Sequence, residues 1–293
     1  MKENSGEKSM QEIVGFYSKI GRPLTLLEMH RATLGSADKL EETLQGIEHA
    51  REEKKLSSED GFFALPTTQH GFSLARRRQD FVADKKWKRL VKLGGWFSYV
   101  PFVEFVLVNG SMALGNVTPS SDFDVLVCVR KGRIFTARYV ALFVFALLGA
   151  RRTKDRENDD PNKLCFNHFV TTDTFKKPPF NTYRYHLYRT MIPLWGDENM
   201  IQFFFDGNKW CDPPRADFED LRYQKNWRST VRRFLEALLS GALGTWIEVN
   251  IIKPFAQKRL QKYVDAQHAE GRVALSDDEL EFHFNLSGEK RFS

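Results

Sequence analysis

Strand-like alternation and helix-like periodicity follow one another along this chain, with turn residues marking the changes. Residues 103–108 are apolar and β-branched, which predicts a buried strand stopping abruptly at Asn109-Gly110-Ser111. Residues 122–127, Asp-Phe-Asp-Val-Leu-Val, predict a second strand. Side chains two apart share a face, so Asp122 and Asp124 lie on one side while Phe123 and Val125 pack into a core on the other. Residues 163–172 predict a third strand, in which alternation sets Asn167 with Cys165, Phe169 and Thr171, and His168 with Phe166 and Val170. The apolar stretches 139–150 and 234–252 read as buried or half-buried helices. The first falls short of the ~20 residues a membrane helix needs, and the second carries Glu236 and Glu248.

On the N-terminal side, Ile13, Val14, Tyr17 and Ile20 follow helical spacing. Thr25 is placed to cap a second helix through Leu34, and Asp38 a third carrying Leu40, Leu44 and Ile47. Residues 56–65, with a Glu59-Asp60-Gly61 turn, read as a hairpin. Three short helices and a hairpin resemble a winged helix-turn-helix, by pattern alone. Lys176-Lys177-Pro178-Pro179 is a natural connector, beyond which 183–194, 201–205, 218–239 and 243–264 have helical spacing, broken at Gly207-Asn208, Pro213-Pro214 and Gly241. The expected organisation is a winged-helix-like domain over 1–70, an α+β domain over 71–177 and a helical lobe over 178–293.

The formal net charge is +6. Its source is local: Arg76, Arg77, Arg78, Lys85, Lys86, Lys88, Arg89 and Lys92 face only Asp80 and Asp84, and this segment carries the whole excess. Phe81, Val82, Trp87, Leu90 and Val91 are interleaved with the bases, so a helix with one buried stripe and one cationic face is expected, a surface for RNA or another polyanion. The expected third helix carries Glu41, Glu42, Glu48, Glu52 and Glu53, which argues against sequence-specific reading of a DNA duplex and favours packing on the neighbouring domain or contact with a partner protein. Three widely spaced cysteines, Cys128, Cys165 and Cys211, suggest reduced thiols rather than a disulfide framework or zinc site. No apolar run follows the polar opening of the chain, so a cytoplasmic protein without a membrane span is expected.

The chemistry concentrates at 109–124. Gly110 allows the backbone close to a ligand, and the Ser111 hydroxyl with the following amides can donate to phosphate oxygens. The same grammar occurs in ordinary turns. Asp122 and Asp124, two apart on one face, repel unless a cation lies between them, and Mg²⁺ is commonly held by one or two carboxylates with substrate phosphates. Together these segments resemble the nucleotidyltransferase superfamily with a DNA polymerase β-like palm, whose signature is Gly-Ser or Gly-Gly, a spacer of about ten residues, then Asp-x-Asp. The resemblance covers roughly residues 84–175, and the later segments look like those of uncharacterised bacterial members. It implies an α+β fold with a small mixed-sheet palm, an NTP substrate whose triphosphate lies on Gly110 and Ser111 beside Ser121, and Mg²⁺ or Mn²⁺ on Asp122 and Asp124. It also implies that a helical lobe after the palm forms the other wall of the nucleotide cleft, where Arg222, Lys225, Arg228, Arg232 and Arg233 are candidates for the triphosphate. The superfamily places a third carboxylate on the next strand, where this chain offers Asn167 or His168. Asn167, on the acidic face, is the expected substitute. The acceptor class, RNA, protein or small molecule, is left open, and a degenerate member that binds nucleotide or a partner without turnover is the alternative.

Overall fold

The computed structural model describes residues 3–33, 39–152, 161–175, 181–211, 216–266 and 272–283. The expected cap Asp38 and the connector 176–179 lie outside them, as do Asp155, Glu157, Asp159 and Asp160, acids of the polar stretch before the third strand from which one could reach the acidic face. Two compact units are present, Met1–Asp84 with Gly115–Thr118, and Lys85–Leu114 with Pro119–Ser293. The expected boundaries fall elsewhere.

The first unit contains α1 (Glu3–Lys19), β1 (Leu24–Thr25), α2 (Leu26–Thr33), α3 (Leu40–Glu52), β2 (Ser57–Glu59), β3 (Phe62–Ala64) and the first half of α4 (Phe72–Gly94). Val14, Phe16, Met29 and Ile47 fill its core. Thr25 caps α2 as expected: its hydroxyl accepts from the Glu28 amide at 3.2 Å, while the Glu28 carboxylate accepts from the Thr25 amide at 2.9 Å. Strands β2 and β3 pair antiparallel across Asp60 and Gly61, whose φ values of 50° and 79° suit a tight hairpin turn, and β1 joins the far edge of β3. Arg76 is buried rather than part of a cationic track, donating to Glu28 at 2.7 and 2.9 Å and to Asp80 at 3.1 Å. Burial alone would raise the Glu28 carboxyl, but the Arg76 hydrogen bond, the Thr25 amide and the charges of Arg76 and Arg22 outweigh it and hold it below the ordinary value.

The second unit is built on a seven-stranded mixed sheet. In chain order its elements are β4 (Val103–Val108), α5 (Gly110–Leu114), β5 (Phe123–Val129), α6 (Ile134–Leu147), β6 (Leu164–Thr171), α7 (Thr182–Arg189), β7 (Ile192–Gly196), α8 (Glu198–Gly207), β8 (Gln224–Lys225), α9 (Thr230–Leu239), α10 (Ala242–Ile247), α11 (Lys253–Ala266), β9 (Arg272–Leu275) and β10 (Glu279–His283). The strand order is β8-β7-β4-β5-β6-β10-β9, with β5/β6 and β7/β8 parallel and the other pairs antiparallel. Helix α6 is the crossover between the parallel strands β5 and β6, and Phe145 packs with Phe97 and Phe166 at ring distances of 4.8 and 5.2 Å. Another core cluster joins Leu126, Cys128 and Val170 of the sheet to Tyr188, Phe204 and Phe205 of α7 and α8.

The helical lobe expected over 178–293 is therefore not separate, since β7, β8, β9 and β10 extend the same sheet. The helical pattern over 183–194 ends at Arg189 because Pro193 cannot continue a helix, and residues from Ile192 turn into strand. That over 218–239 begins only at Thr230, where the Ser229 hydroxyl accepts from the Arg232 amide at 3.1 Å. Residues 234–252, expected to be buried or half-buried, expose much apolar surface. Among the described residues no single helix is long and apolar enough to cross a membrane. Thr230–Leu239 and Ala242–Lys262 pass such a test only as a pair bent by 81°.

Candidate active site

Strand β4 delivers the chain to Asn109, whose amide donates to the Asp124 carbonyl at 2.9 Å and so ties the loop to β5. The chain then turns through Gly110 at φ 62°. A β-carbon at Gly110 would lie 2.2 Å from Asp124 Oδ2. Glycine is thus required twice over, by the left-handed backbone and by contact with the carboxylate. Ser111 follows in the first turn of α5, half-buried. Asn109 carries a buried side-chain oxygen without a hydrogen-bond partner.

Asp122, Asp124 and Cys165 bring ligand atoms within 4.8 Å of one another. Arg152 Nη1 donates to Asp122 Oδ2 and lies 3.7 Å from Cys165 Sγ. Asn167 Nδ2 approaches Asp124 Oδ1 at 3.5 Å. Burial, reinforced by the Asp122 charge, raises the Asp124 carboxyl to about 7, against the opposing pull of Arg152 and Asn167. Burial and the charges of Asp124 and Asp122 raise the Cys165 thiol well above its ordinary value, so it remains a neutral thiol. Ser121 supplies its carbonyl to Lys86 Nζ at 2.6 Å, and Lys86 also donates to Asn162 Oδ1 at 2.7 Å. Burial and then the neighbouring Arg89 lower the Lys86 amine, while Asp122 pulls it the other way.

Strict alternation along 163–172 does not hold. Asp124 pairs with Cys165, but Leu126 pairs with His168, so β6 carries one extra residue. That residue returns Phe166 and Phe169 to one side, where their rings stack at 6.1 Å, and sets His168 on the side of Leu126. His168 and Asn167 thus share the acidic face, contrary to the expectation that Phe169 accompanies Asn167. Further along this face His168 Nε2 lies 3.2 Å from Glu279, and Glu281 accepts from Arg184 at 3.4 Å. His168, Glu279 and Glu281 form a second group able to hold a metal, unanticipated because β10 had not been foreseen.

Three side chains at the main site were not singled out for it from sequence. Arg152 belongs to no motif, Cys165 was read only as a reduced thiol, and Lys86 was counted among the bases of a cationic face. Its spacing from Val82 and Leu90, four residues to either side, was the available signal. The triphosphate candidates after β7 behave differently from expectation. Arg232 is fully buried against Glu236, Arg222 pairs with Asp220, and Lys225 lies 3.2 Å from Glu198.

The donor set fits a hard divalent cation held by oxygen, since the carboxylates converge and Cys165 stays protonated. Asp122 and Asp124 are the residues to hold it. Comparison with family models, curated proteins and solved structures returned no match.

Proposed function

We propose that this chain is a Mg²⁺-dependent nucleotidyltransferase, moving an NMP from an NTP to an acceptor hydroxyl with release of pyrophosphate. The observation that carries this reading is the contact of Gly110 with Asp124, which joins a phosphate-sized loop to a convergent carboxylate pair. In the reaction the acceptor oxygen bonds to the α-phosphorus, the bond to the bridging oxygen of pyrophosphate breaks, and the acceptor proton passes to solvent or a carboxylate. When bound, the metal supplies charge to the phosphates and lowers the pKa of the attacking hydroxyl. Asp122 and Asp124 hold that charge, Gly110 and Ser111 receive the β/γ-phosphates, and Ser121 is fixed beside them through Lys86. With a cation on the carboxylates, Arg152, which lies beside Asp122, would also be placed to pair with phosphate, to which guanidinium is well matched. Asn167 orients the Asp124 carboxylate.

The element order of the first unit and its sheet order β1-β3-β2 support a winged-helix-like reading. The exposed Glu41, Glu42 and Glu48 of α3 speak against a duplex and for a protein contact. Six bases of 76–92, namely Arg77, Arg78, Lys85, Lys88, Arg89 and Lys92, are exposed and suit a polyanionic acceptor such as RNA.

Asn167 at the position of a third carboxylate, with Arg152 already on Asp122, favours a second reading, a degenerate member that binds nucleotide without turnover. Pyrophosphate release from each common NTP with Mg²⁺ or Mn²⁺, with and without cellular RNA or protein, separates the two. Release lost in Asp124→Ala supports transfer. Metal-dependent NTP binding without release supports the second reading, and neither binding nor release refutes both.

A further inference from the structure

The segment 226–262 is amphipathic in the inverted sense. Three of its charged residues, Arg232, Glu236 and Glu248, are 0%, 7% and 4% exposed, whereas Phe234, Leu243, Trp246 and Phe255 are 67%, 58%, 55% and 61% exposed. Buried polar bonds fix this orientation. Arg232 donates to the Val103 carbonyl at 2.6 Å and to Glu236 at 2.8 Å, and Glu236 accepts from the Phe102 amide at 2.9 Å. Glu248 accepts from the amides of Phe135 and Thr136 at 2.9 and 3.0 Å, capping α6. Rolling the helices over to hide their apolar side would strand these groups, so the apolar face is held outward.

Charge identifies what covers it. Between 226 and 262 the two acids are the buried Glu236 and Glu248, whereas Arg233, Lys258, Arg259 and Lys262 are exposed. Trp227 and Trp246, residues that favour the boundary between water and lipid, lie on the same segment. A second copy of the chain would set like charges against one another across a two-fold axis. The 81° bend at Gly241 suits two helices lying in the plane of a surface rather than a straight span.

We propose that the α9–α11 face docks on the surface of a membrane containing anionic phospholipid, its apolar side chains entering the headgroup boundary and its bases meeting lipid phosphates and carboxylates. The inference is independent of nucleotide transfer. The test is co-sedimentation of the full chain with vesicles of phosphatidylcholine alone or mixed with phosphatidylserine, with tryptophan emission read in parallel. Expected are binding to the mixed vesicles, a blue shift, weakening by salt, and about fivefold weaker binding for each of Arg233→Gln and Lys258→Gln. Trp246→Glu, at an exposed position, is expected to abolish binding with the melting temperature unchanged. A folded wild-type protein that ignores the mixed vesicles overturns the proposal, as does binding indifferent to all three substitutions. Self-association lost in Trp246→Glu, without vesicle binding, assigns the face to a second copy and also overturns it.

Discussion

Replacing Asp124 with asparagine removes one of the two carboxylates proposed to hold the cation and is expected to stabilise the fold. Folded Asp124 titrates near 7 against an ordinary 3.8, because burial and Asp122 disfavour its charge. The folded state therefore binds the proton more tightly than the unfolded chain. Below pH ~4 the group is neutral in both states and costs nothing, and between ~4 and ~7 only the unfolded chain loses its proton, so stability falls. Above ~7 the penalty is constant, with a ceiling of about 4 kcal/mol at 1.36 kcal/mol per pKa unit. Asp124 is half-buried, so access of water reduces the expected gain to about 2 kcal/mol, equivalent to ~4–8 °C in melting temperature for a unit of this size. Thermal unfolding of wild type and Asp124→Asn in EDTA from pH 4 to pH 8.5 tests this. The variant should gain at high pH and converge with wild type at low pH, and Mg²⁺ should raise only the wild type. A variant that is neutral or destabilised at pH 8, or a difference that ignores pH, refutes the linkage between burial of this carboxylate and its function.

Three further outcomes follow from the same geometry. Gly110→Ala should abolish metal-dependent nucleotide binding, measured by calorimetry, because the added β-carbon enters the Asp124 carboxylate and the backbone is strained at φ 62°. Mg²⁺ affinity of the wild type should fall roughly tenfold per pH unit below ~7, since the cation must displace the Asp124 proton. Arg232→Ala should cost about 3–5 kcal/mol in denaturant unfolding, because it leaves Glu236 buried and the Val103 carbonyl without its donor.

Local chemistry decided which parts of the fold were legible. The strands at 103–108 and 123–129, the capped α2 and the Asp60-Gly61 hairpin were readable because each is set by neighbours in sequence: a β-branched run, a capping box, a turn with two positive φ values. Strands β7 to β10 were not, because they are short and paired by partners far along the chain. Gln224 and Lys225 carry no strand pattern of their own and become β8 through Trp195 and Gly196. The inverted α9 was misread for a related reason. Periodicity detects that one side is apolar, but which side is buried was decided by Arg232 and Glu236 finding backbone partners at Val103 and Phe102, where β4 begins.

The site divides in the same way. Gly110, Asp122 and Asp124 are close in sequence, and their spacing alone brings them onto one face once two strands are placed. Alternation also set Cys165 and Asn167 together on that face, whereas Arg152 reaches it through the α6 crossover, and β6 carries one extra residue that alternation cannot register. That extra residue also brings His168 onto the acidic face, toward Glu279 and Glu281. A strand without the bulge would keep Asn167 or His168 on this side, not both. The bulge thus gives the face two polar positions where a regular strand gives one, and it is the feature that sets this sheet apart from a plain alternating reading of its sequence.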